Sequence, residues 1–384
     1  MSEDSGSRPM DAGPLAGVKV VELAAYLAGP FASMMLADLG AEVAKVEPPR
    51  GEPFRRFLRP SAPVSPQFAN VNRNKASVLL DLKQPAGREA FAELLGGADV
   101  LLTNWRPGAL ARLGLDDAAL AEANPRLVRC YLTGFGRDGP DADRPAFDPI
   151  IQAHASMTTT WGTDDHPEVA PNYLADSIAA TMTVQAVLAA LVSRAGSGKG
   201  ERVEVAMLDA VSYFSYPSAL AHRTFLDHTA GAGAGPNPHA RPARPIAAAD
   251  GWLVVSPVSK VQIEGALAAV GRPELASRLI ADLDGPRLAD ALTAEIEKVT
   301  RTGPVERWLA AFGAHDVPAA RCLSTEEHFD DPQVRHNDIY SIEEWPGLGR
   351  VRQVRYPARY TSWPRLGTRT PVRLLPELGA RDAL

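Results

Sequence analysis

The chain has 384 residues, of which 45% are hydrophobic and 22% charged, and its length predicts one large domain plus a smaller one, because single cores stop growing at about 250–300 residues. Its net charge of −6 argues against a nucleic-acid partner, and its two cysteines lack metal-ligand spacing, so we expect neither a bound metal nor a disulfide scaffold. Residues 1–13 do not resemble a secretory signal and no apolar run approaches the roughly 20 residues of a membrane helix, so we expect a cytoplasmic protein with no membrane partner.

Short apolar runs alternate with helical patterns through the first half of the chain. The predicted strands occupy residues 18–23, 42–46, 77–81, 99–103 and 203–206. The predicted helices occupy residues 31–39, 87–95 and 176–194. Strands that alternate with helices pair in parallel, so the pattern predicts an α/β fold with a Rossmann-like, doubly wound parallel sheet.

A dinucleotide site is not supported, although the fold class would permit one. After the first predicted strand the chain reads AAYLAGPFASM, which lacks the G-x-G-x-x-G phosphate turn. The GSGKG stretch at residues 196–200 lacks the Ser or Thr of a phosphate loop and follows a helix, and Glu47 alone is weak evidence for a ribose contact. We therefore reject both nucleotide-binding motifs, and a nicotinamide-dependent dehydrogenase remains only a distant alternative.

The second half of the chain predicts a smaller α+β unit. A Gly-, Ala- and Pro-rich stretch at residues 229–245 separates it from the first half. A strand at 251–256 and helices at 262–270, 285–299 and 304–312 follow. We expect a large domain at residues 1–225, completed by the C-terminal segment 330–384, and a small domain at residues 226–329.

Four segments of the chain, in order and consistently spaced, form a distinctive set: AGPFASMMLADLGAEVAKVEPPRGEPFR (28–55), NRNKASVLLDL (72–82), DVLLTNWRPGALARLGL (99–115) and LADSIAATMTVQAVLAALVSRAGSGKG (174–200). Together they resemble the class III CoA transferases, the family of carnitine-, bile-acid- and formyl-CoA transferases. The resemblance implies a transferase with coenzyme A as co-substrate, acyl-CoA and a carboxylic acid as partners, and an interlocked homodimer. It also implies that Asp176, in the L-A-D-S stretch, is a covalent nucleophile.

Asp176 also has a structural interpretation. An Asp directly before a long apolar helix is usually an N-cap, and the helix N-terminus would favour its ionised form, which a nucleophile needs. The resemblance therefore suggests an acyl-aspartyl anhydride, then an aspartyl-CoA thioester, then a second anhydride with the incoming acid.

The resemblance also assigns residues that contact CoA. Asn104 and Trp105 are expected along the pantetheine arm, Arg112 at a phosphate and Lys75 near the adenine. Without the resemblance, Arg112 would be read as a solvated charge.

Tyr26 and Ala28 border the first loop, where the family's backbone meets the reacting thioester. Leu27 stands where formyl-CoA transferases carry a Gln, which favours a less polar acyl group than formate or oxalate. The glycines at residues 230–235 are a candidate lid, with a surface linker as the alternative.

Two other functions remain open. In the related α-methylacyl-CoA racemases a His precedes an Asp in this region, but Phe147 stands at the His position here and has no proton to transfer. Asp148 would either orient the site or serve as an ordinary cap. A non-catalytic acyl-CoA-binding protein is the other alternative.

Overall fold

A computed structural model describes residues 13–58, 62–163, 165–219, 224, 244–282, 285–363, 366–367 and 370–374. Its strands are β1 (Lys19–Leu23), β2 (Glu42–Glu47), β3 (Lys75–Leu79), β4 (Val100–Thr103), β5 (Val128–Thr133), β6 (Arg202–Ala206), β7 (Ile246–Ala248), β8 (Gly251–Val255), β9 (Ala319–Arg321), β10 (Tyr340–Trp345) and β11 (Gly349–Val354). Its helices are α1 (Ala28–Asp38), α2 (Pro66–Asn72), α3 (Pro85–Gly96), α4 (Pro107–Ala111), α5 (Asp117–Ala123), α6 (Asp148–His154), α7 (Met157–Trp161), α8 (Leu174–Ser197), α9 (Met207–Ala219), α10 (Lys260–Ala269), α11 (Ala276–Asp282), α12 (Gly285–Thr300), α13 (Val305–Ala314), α14 (Thr325–Asp330) and α15 (Pro332–His336).

The chain divides into two compact units. The larger runs to Ser215 and resumes at Asn337, and the smaller runs from Tyr216 to His336. The larger unit is built on a six-stranded parallel sheet in the order β3-β2-β1-β4-β5-β6. The expected α/β fold with a parallel sheet is therefore confirmed.

One predicted strand is displaced along the chain. Strand β3 begins at Lys75, two residues before its predicted start, and pairs with β2 from Val43 onward. Lys75 and Ser77 are polar but point into buried polar contacts, so the apolar pattern alone placed this strand too late.

Apolar side chains cover both faces of the parallel sheet, as expected for strands buried on both sides. On one face Val20, Val43 and Val128 pack against α1 and α8. On the other face Val21 and Leu101 belong to a cluster that includes residues of α3, α4 and α5. Because α1 and α8 share one face, the start of α8 lies in the same layer as the loop that precedes α1.

Helix α8 extends for 24 residues, and Gly198 is its C-cap. The φ of Gly198 is +71°, a left-handed conformation that glycine adopts without strain. By length and composition alone, α8 is apolar enough to cross a membrane, a property that the sequence analysis did not recognise. Its Ala180, Val184 and Val187 pack into the sheet core. A buried core helix meets the same criterion, so this feature is weak evidence for a membrane.

The C-terminal segment packs on the larger unit. Trp345, on the β10–β11 hairpin, is buried in a cluster with Phe54 and Phe68. The guanidinium of Arg55 donates to the carbonyl of Arg373 at 2.8 Å. Both ends of the described chain thus contribute to this unit.

The smaller unit has its own sheet and core. An antiparallel sheet in the order β7-β8-β9 carries Leu253, which packs in a cluster with Trp308 and Phe312. The indole N–H of Trp308 donates to the carbonyl of Thr300 at 2.8 Å, so the polar end of this buried ring is satisfied.

Candidate active site

The strand order reverses between β1 and β4, which are neighbours in the sheet although the chain visits β2 and β3 between them. Leu23 pairs with Thr103 at their carboxyl ends, and the Thr103 hydroxyl donates to the Leu23 carbonyl at 2.8 Å. Open parallel sheets bind ligands outside the carboxyl ends of the strands at such a reversal. The loops 24–27 and 104–106 border that position.

Four residues expected to contact CoA lie on these two loops or directly after them. Tyr26 is partly exposed with a φ of +65°, and Ala28 is the buried first residue of α1. Asn104 engages the backbone of Ala25, because its Oδ1 accepts from the N–H at 3.1 Å and its Nδ2 donates to the carbonyl at 2.8 Å. Trp105 packs, half-buried, against the core cluster beneath α3 and α4.

The remaining two expected CoA contacts have different surroundings. The side chain of Lys75 is 1% exposed, and its Nζ lies 2.9 Å from a Glu22 carboxylate oxygen, 2.7 Å from the Pro30 carbonyl and 2.9 Å from Asn72 Oδ1. Its three ammonium protons thus have partners inside the protein, which argues against the expected contact with the adenine. Arg112 is exposed at the end of α4, where a phosphate can reach it.

Asp176 is the third residue of α8 and not its N-cap, so the expected capping role is wrong. The N-cap position belongs to Tyr173, which makes no side-chain capping bond. Asn172 and Tyr173 have φ values of +71° and +50°, a region that non-glycine residues avoid. Such strain persists only where surrounding contacts enforce it, and it is concentrated at functional sites.

Asp148 supplies the capping bond that α8 needs. Its Oδ2 accepts from the backbone N–H of Asp176 at 3.0 Å, and its Oδ1 accepts from the amide of Gln152. Gln152 in turn donates to the Ala170 carbonyl at 3.0 Å and accepts from the Ala170 N–H at 2.8 Å. Asp148 is 3% exposed and Gln152 is fully buried. This chain of contacts holds the start of α8 in one orientation.

The electrostatic environment raises the pKa of Asp176 to about 7, first because burial penalises the charged carboxylate and second because Asp148 carries like charge. The expectation that the helix N-terminus would favour ionisation is therefore outweighed. A carboxylate of raised pKa is more basic once it is ionised, and so more reactive towards a thioester carbonyl.

Two aromatic side chains meet at this edge of the larger unit. The rings of Tyr26 and Phe147 meet edge-to-face with centroids 5.4 Å apart, and Phe147 directly precedes Asp148. Phe147 is 57% exposed, which is unusual for an apolar ring. His154, at the end of α6, packs against Phe135 at 5.2 Å, as a structural histidine would.

A buried charged network, not recognised from the sequence, lies behind the first loop. Lys45 is 1% exposed and lies 2.7 Å from Glu22 and 2.9 Å from Glu52. Glu47, considered as a ribose-binding acid, is instead buried and paired with Arg55 at 2.6 Å. The sequence does contain a signal for this network, because Glu22 and Lys45 lie inside apolar strand runs. Buried charges are rare unless they are paired, so two such positions indicate a buried ion pair.

The described residues contain no group of three or more His, Cys, Asp or Glu side chains that could hold a metal. Cys130 and Cys322 are both free. Burial raises the pKa of the Cys130 thiol to about 12, so it is unreactive. Cys322 is exposed.

A groove of about 1050 Å³ lies along β2, β3 and α3. Ala44, Val78 and Leu94 are among its lining residues. Lys75 lines it, but neither Asp176 nor any residue of the loops 24–27 and 104–106 does, so the groove is separate from Asp176 and from those two loops.

Comparison with known proteins agrees with this arrangement. The sequence profile described as CoA-transferase family III matches residues 15–381. The chain belongs to CoA-transferase family III.

This family III CoA-transferase is 31% identical, over 97% of both chains, to a protein named probable fatty acyl-CoA transferase Rv3272 from Mycobacterium tuberculosis. It is 32% identical to the acetyl-CoA:oxalate CoA-transferase of Acetobacter aceti, over 87% of this chain and 86% of the relative. A crystal structure of Rv3272 superposes with a TM-score of 0.81 over 94% of this chain and 97% of that chain, at 31% identity. A CAIB/BAIF family protein from Brucella suis superposes with a TM-score of 0.79 and 30% identity, over the same shares of the two chains.

The resemblance stated from the sequence motifs is therefore confirmed. The protein is an enzyme, a CoA-transferase that acts between acyl-CoA thioesters and carboxylates, with CoA as a substrate.

Proposed function

We propose that this CoA-transferase works through covalent intermediates on Asp176. The observation that carries the proposal is a partly buried carboxylate in the first turn of α8 whose pKa is raised to about 7 by burial and by Asp148. A fraction near one half is then ionised at neutral pH, and that fraction is a strong oxygen nucleophile in a partly desolvated position.

The exchange balances in four steps. The Asp176 carboxylate forms a C–O bond to the thioester carbonyl and CoA leaves as thiolate, which gives an acyl-aspartyl anhydride. The thiolate attacks the aspartyl carbonyl, releases the first acid and gives an aspartyl-CoA thioester. The incoming carboxylate attacks that thioester, giving a second anhydride and free thiolate. The thiolate then takes the new acyl group and restores Asp176.

CoA binding is proposed at the β1–β4 edge of the sheet. Trp105 would border the pantetheine arm, Tyr26 and Ala28 would border the reacting thioester, and the exposed guanidinium of Arg112 suits a phosphate. Asn104 lies at the same edge, but its amide already bonds Ala25. We also propose that the larger unit is the CoA-binding domain and that the enzyme works as an interlocked homodimer in the cytoplasm.

An acyl group of low polarity is favoured by the aromatic surface. Tyr26 and Phe147 present exposed ring area, and Phe147 directly precedes Asp148, which accepts from the Asp176 N–H. Leu27 follows Tyr26 in the same loop. The M. tuberculosis relative is named a probable fatty acyl-CoA transferase, which agrees with this preference. The candidate lid at residues 230–235 lies outside the described residues.

Trapping tests the nucleophile directly. The enzyme is incubated with acyl-CoA and hydroxylamine, digested and examined by mass spectrometry for a hydroxamate on Asp176. Asp209→Asn is a matched control, because Asp209 is another carboxylate in the first turn of a helix. This variant should still be labelled at Asp176 and should turn over normally. CoA exchange at full rate in Asp176→Ala would contradict the mechanism.

Two further assays separate the alternative functions. A racemase would exchange the substrate α-proton in D₂O without a carboxylic-acid acceptor, and Phe147 argues against it because it carries no titratable proton. A binding protein would bind acyl-CoA in calorimetry and turn over none of a panel of acyl-CoAs and acids.

A further inference from the structure

The loop between β1 and α1 is held by side chains from three distant parts of the chain. The Ala24 carbonyl accepts from Lys45 Nζ at 3.0 Å. The Ala25 N–H and carbonyl both bond the Asn104 amide, at 3.1 and 2.8 Å. The Tyr26 N–H donates to Glu52 Oε2 at 2.8 Å. Four successive polar groups of this backbone therefore have fixed partners.

Two of these partners belong to the buried charged network. Lys45 is 1% and Glu52 is 3% exposed, and they lie 2.9 Å apart. Glu22 accepts from Lys45 at 2.7 Å and lies 2.9 Å from Lys75, which donates to the carbonyl of Pro30 in the first turn of α1. Since a buried charge is costly without a partner, the network permits little displacement of the loop or of the helix start.

The loop conformation itself needs this support. Tyr26 has a φ of +65°, which an L-residue other than glycine adopts only when its surroundings enforce it. Its ring lies against Phe147, whose neighbour Asp148 bonds the backbone N–H of Asp176. A short chain of contacts therefore joins Glu52 and Asn104 to the nucleophile.

We propose that Asn104 and Glu52 are positioning residues that hold the loop 24–26 in the shape required for acyl-CoA to meet Asp176. This inference rests on the proposed function of Asp176. Asn104 acts through the backbone of Ala25, which occupies both ends of its amide, and not by direct contact with the pantetheine arm. Glu52 acts through the Tyr26 N–H and does not reach the substrate.

The test of Asn104 uses a matched residue at a different place in the same unit. The side chain of Asn124 also bonds only backbone: its Nδ2 donates to the carbonyls of Leu95 and Ala98, both at 3.0 Å, and its Oδ1 accepts from the Arg126 N–H at 3.1 Å. Asn104→Ala and Asn124→Ala should lower the melting temperature by similar amounts. Only Asn104→Ala should lower kcat, by about 10- to 100-fold, with the KM for acyl-CoA changed less than about threefold, because misplaced reacting groups slow the chemical step.

Two results would overturn the role proposed for Asn104. A large rise in KM with unchanged kcat in Asn104→Ala would show direct contact with CoA and overturn the proposal. Equal losses of activity in Asn104→Ala and Asn124→Ala would show that the fall in kcat comes only from lower stability, and would also overturn the proposal. If Asn104→Ala does not fold, the near-isosteric Asn104→Asp keeps the acceptor for the Ala25 N–H but removes the donor, and the same fall in kcat is expected.

Glu52 is tested by rescue. Glu52→Gln keeps an oxygen that can accept from the Tyr26 N–H, whereas Glu52→Ala removes it, so the glutamine variant should retain at least about tenfold more kcat than the alanine variant. Equal kcat in the two variants overturns the role of Glu52. Hydroxamate labelling of wild-type Asp176, measured in the same series, decides the proposed mechanism separately. Normal labelling with unchanged kcat in the positioning variants rejects only this inference.

Discussion

Replacing Asp176 by asparagine should make the protein inactive and, at pH 8, more stable. The carboxylate is held where burial and the like charge of Asp148 oppose its ionisation, which raises its pKa from 3.8 to about 7. Asparagine keeps the side-chain shape but carries no charge. The substitution therefore removes the nucleophile together with the unfavourable electrostatic energy of holding it there.

The size of the stability gain in Asp176→Asn, and the pH range over which it appears, follow from the raised pKa of Asp176. A carboxyl whose folded pKa is raised stabilises the fold below its unfolded pKa near 3.8, and this contribution is lost as the pH rises through about 7. Each pKa unit corresponds to about 1.4 kcal/mol, which gives an upper bound of about 4 kcal/mol. Because Asp176 remains partly exposed to solvent, we expect about half of this, or ~2 kcal/mol, at pH 8.

Urea unfolding of the wild type and of Asp176→Asn at pH 5, 6, 7 and 8 measures the effect. The stability advantage of Asp176→Asn should increase by at least about 1 kcal/mol between pH 5 and pH 8. Asp209→Asn, with its exposed carboxyl, should show no such increase. An advantage that is absent, or the same at every pH, would refute the environment assigned to Asp176.

Three further predictions concern activity and stability. The kcat/KM for acyl-CoA should rise with pH and level off above about 7, and Asp148→Asn should move this inflection to lower pH in a pH-rate profile, because it removes the charge that opposes ionisation of Asp176. Glu22→Gln should lower the free energy of unfolding by about 3–5 kcal/mol, since two buried lysines lose their shared counter-charge, whereas the exposed Glu264→Gln should cost less than about 0.5 kcal/mol in the same denaturation assay. The wild type should not exchange the substrate α-proton in D₂O by NMR, because Phe147 cannot transfer a proton, and rapid exchange without an acid acceptor would restore the racemase interpretation.

Much of the architecture could be predicted because it depends on local patterns. Apolar runs at 18–23 and 42–46 become buried parallel strands with nearly the predicted bounds. The helix predicted at 176–194 is observed as α8, although it begins two residues earlier, at Leu174. Its first turn could not be placed from the sequence, because the residues before it adopt left-handed conformations that no local preference favours.

The position of Asp176 in a family motif was determined by the sequence by itself, as were the parallel sheet and the membership of a CoA-transferase family. Only the tertiary structure decided the chemistry around these residues. The raised pKa of Asp176 depends first on its burial and then on Asp148, 28 positions away along the chain, and the amide of Asn104 is bound by Ala25, 79 positions away. The sequence predicts Lys75 as a CoA ligand, whereas in the fold its ammonium group is buried and paired with Glu22. Helix and strand patterns reflect neighbours in the chain, whereas burial, charge pairing and hydrogen bonding depend on distances that only the folded chain sets.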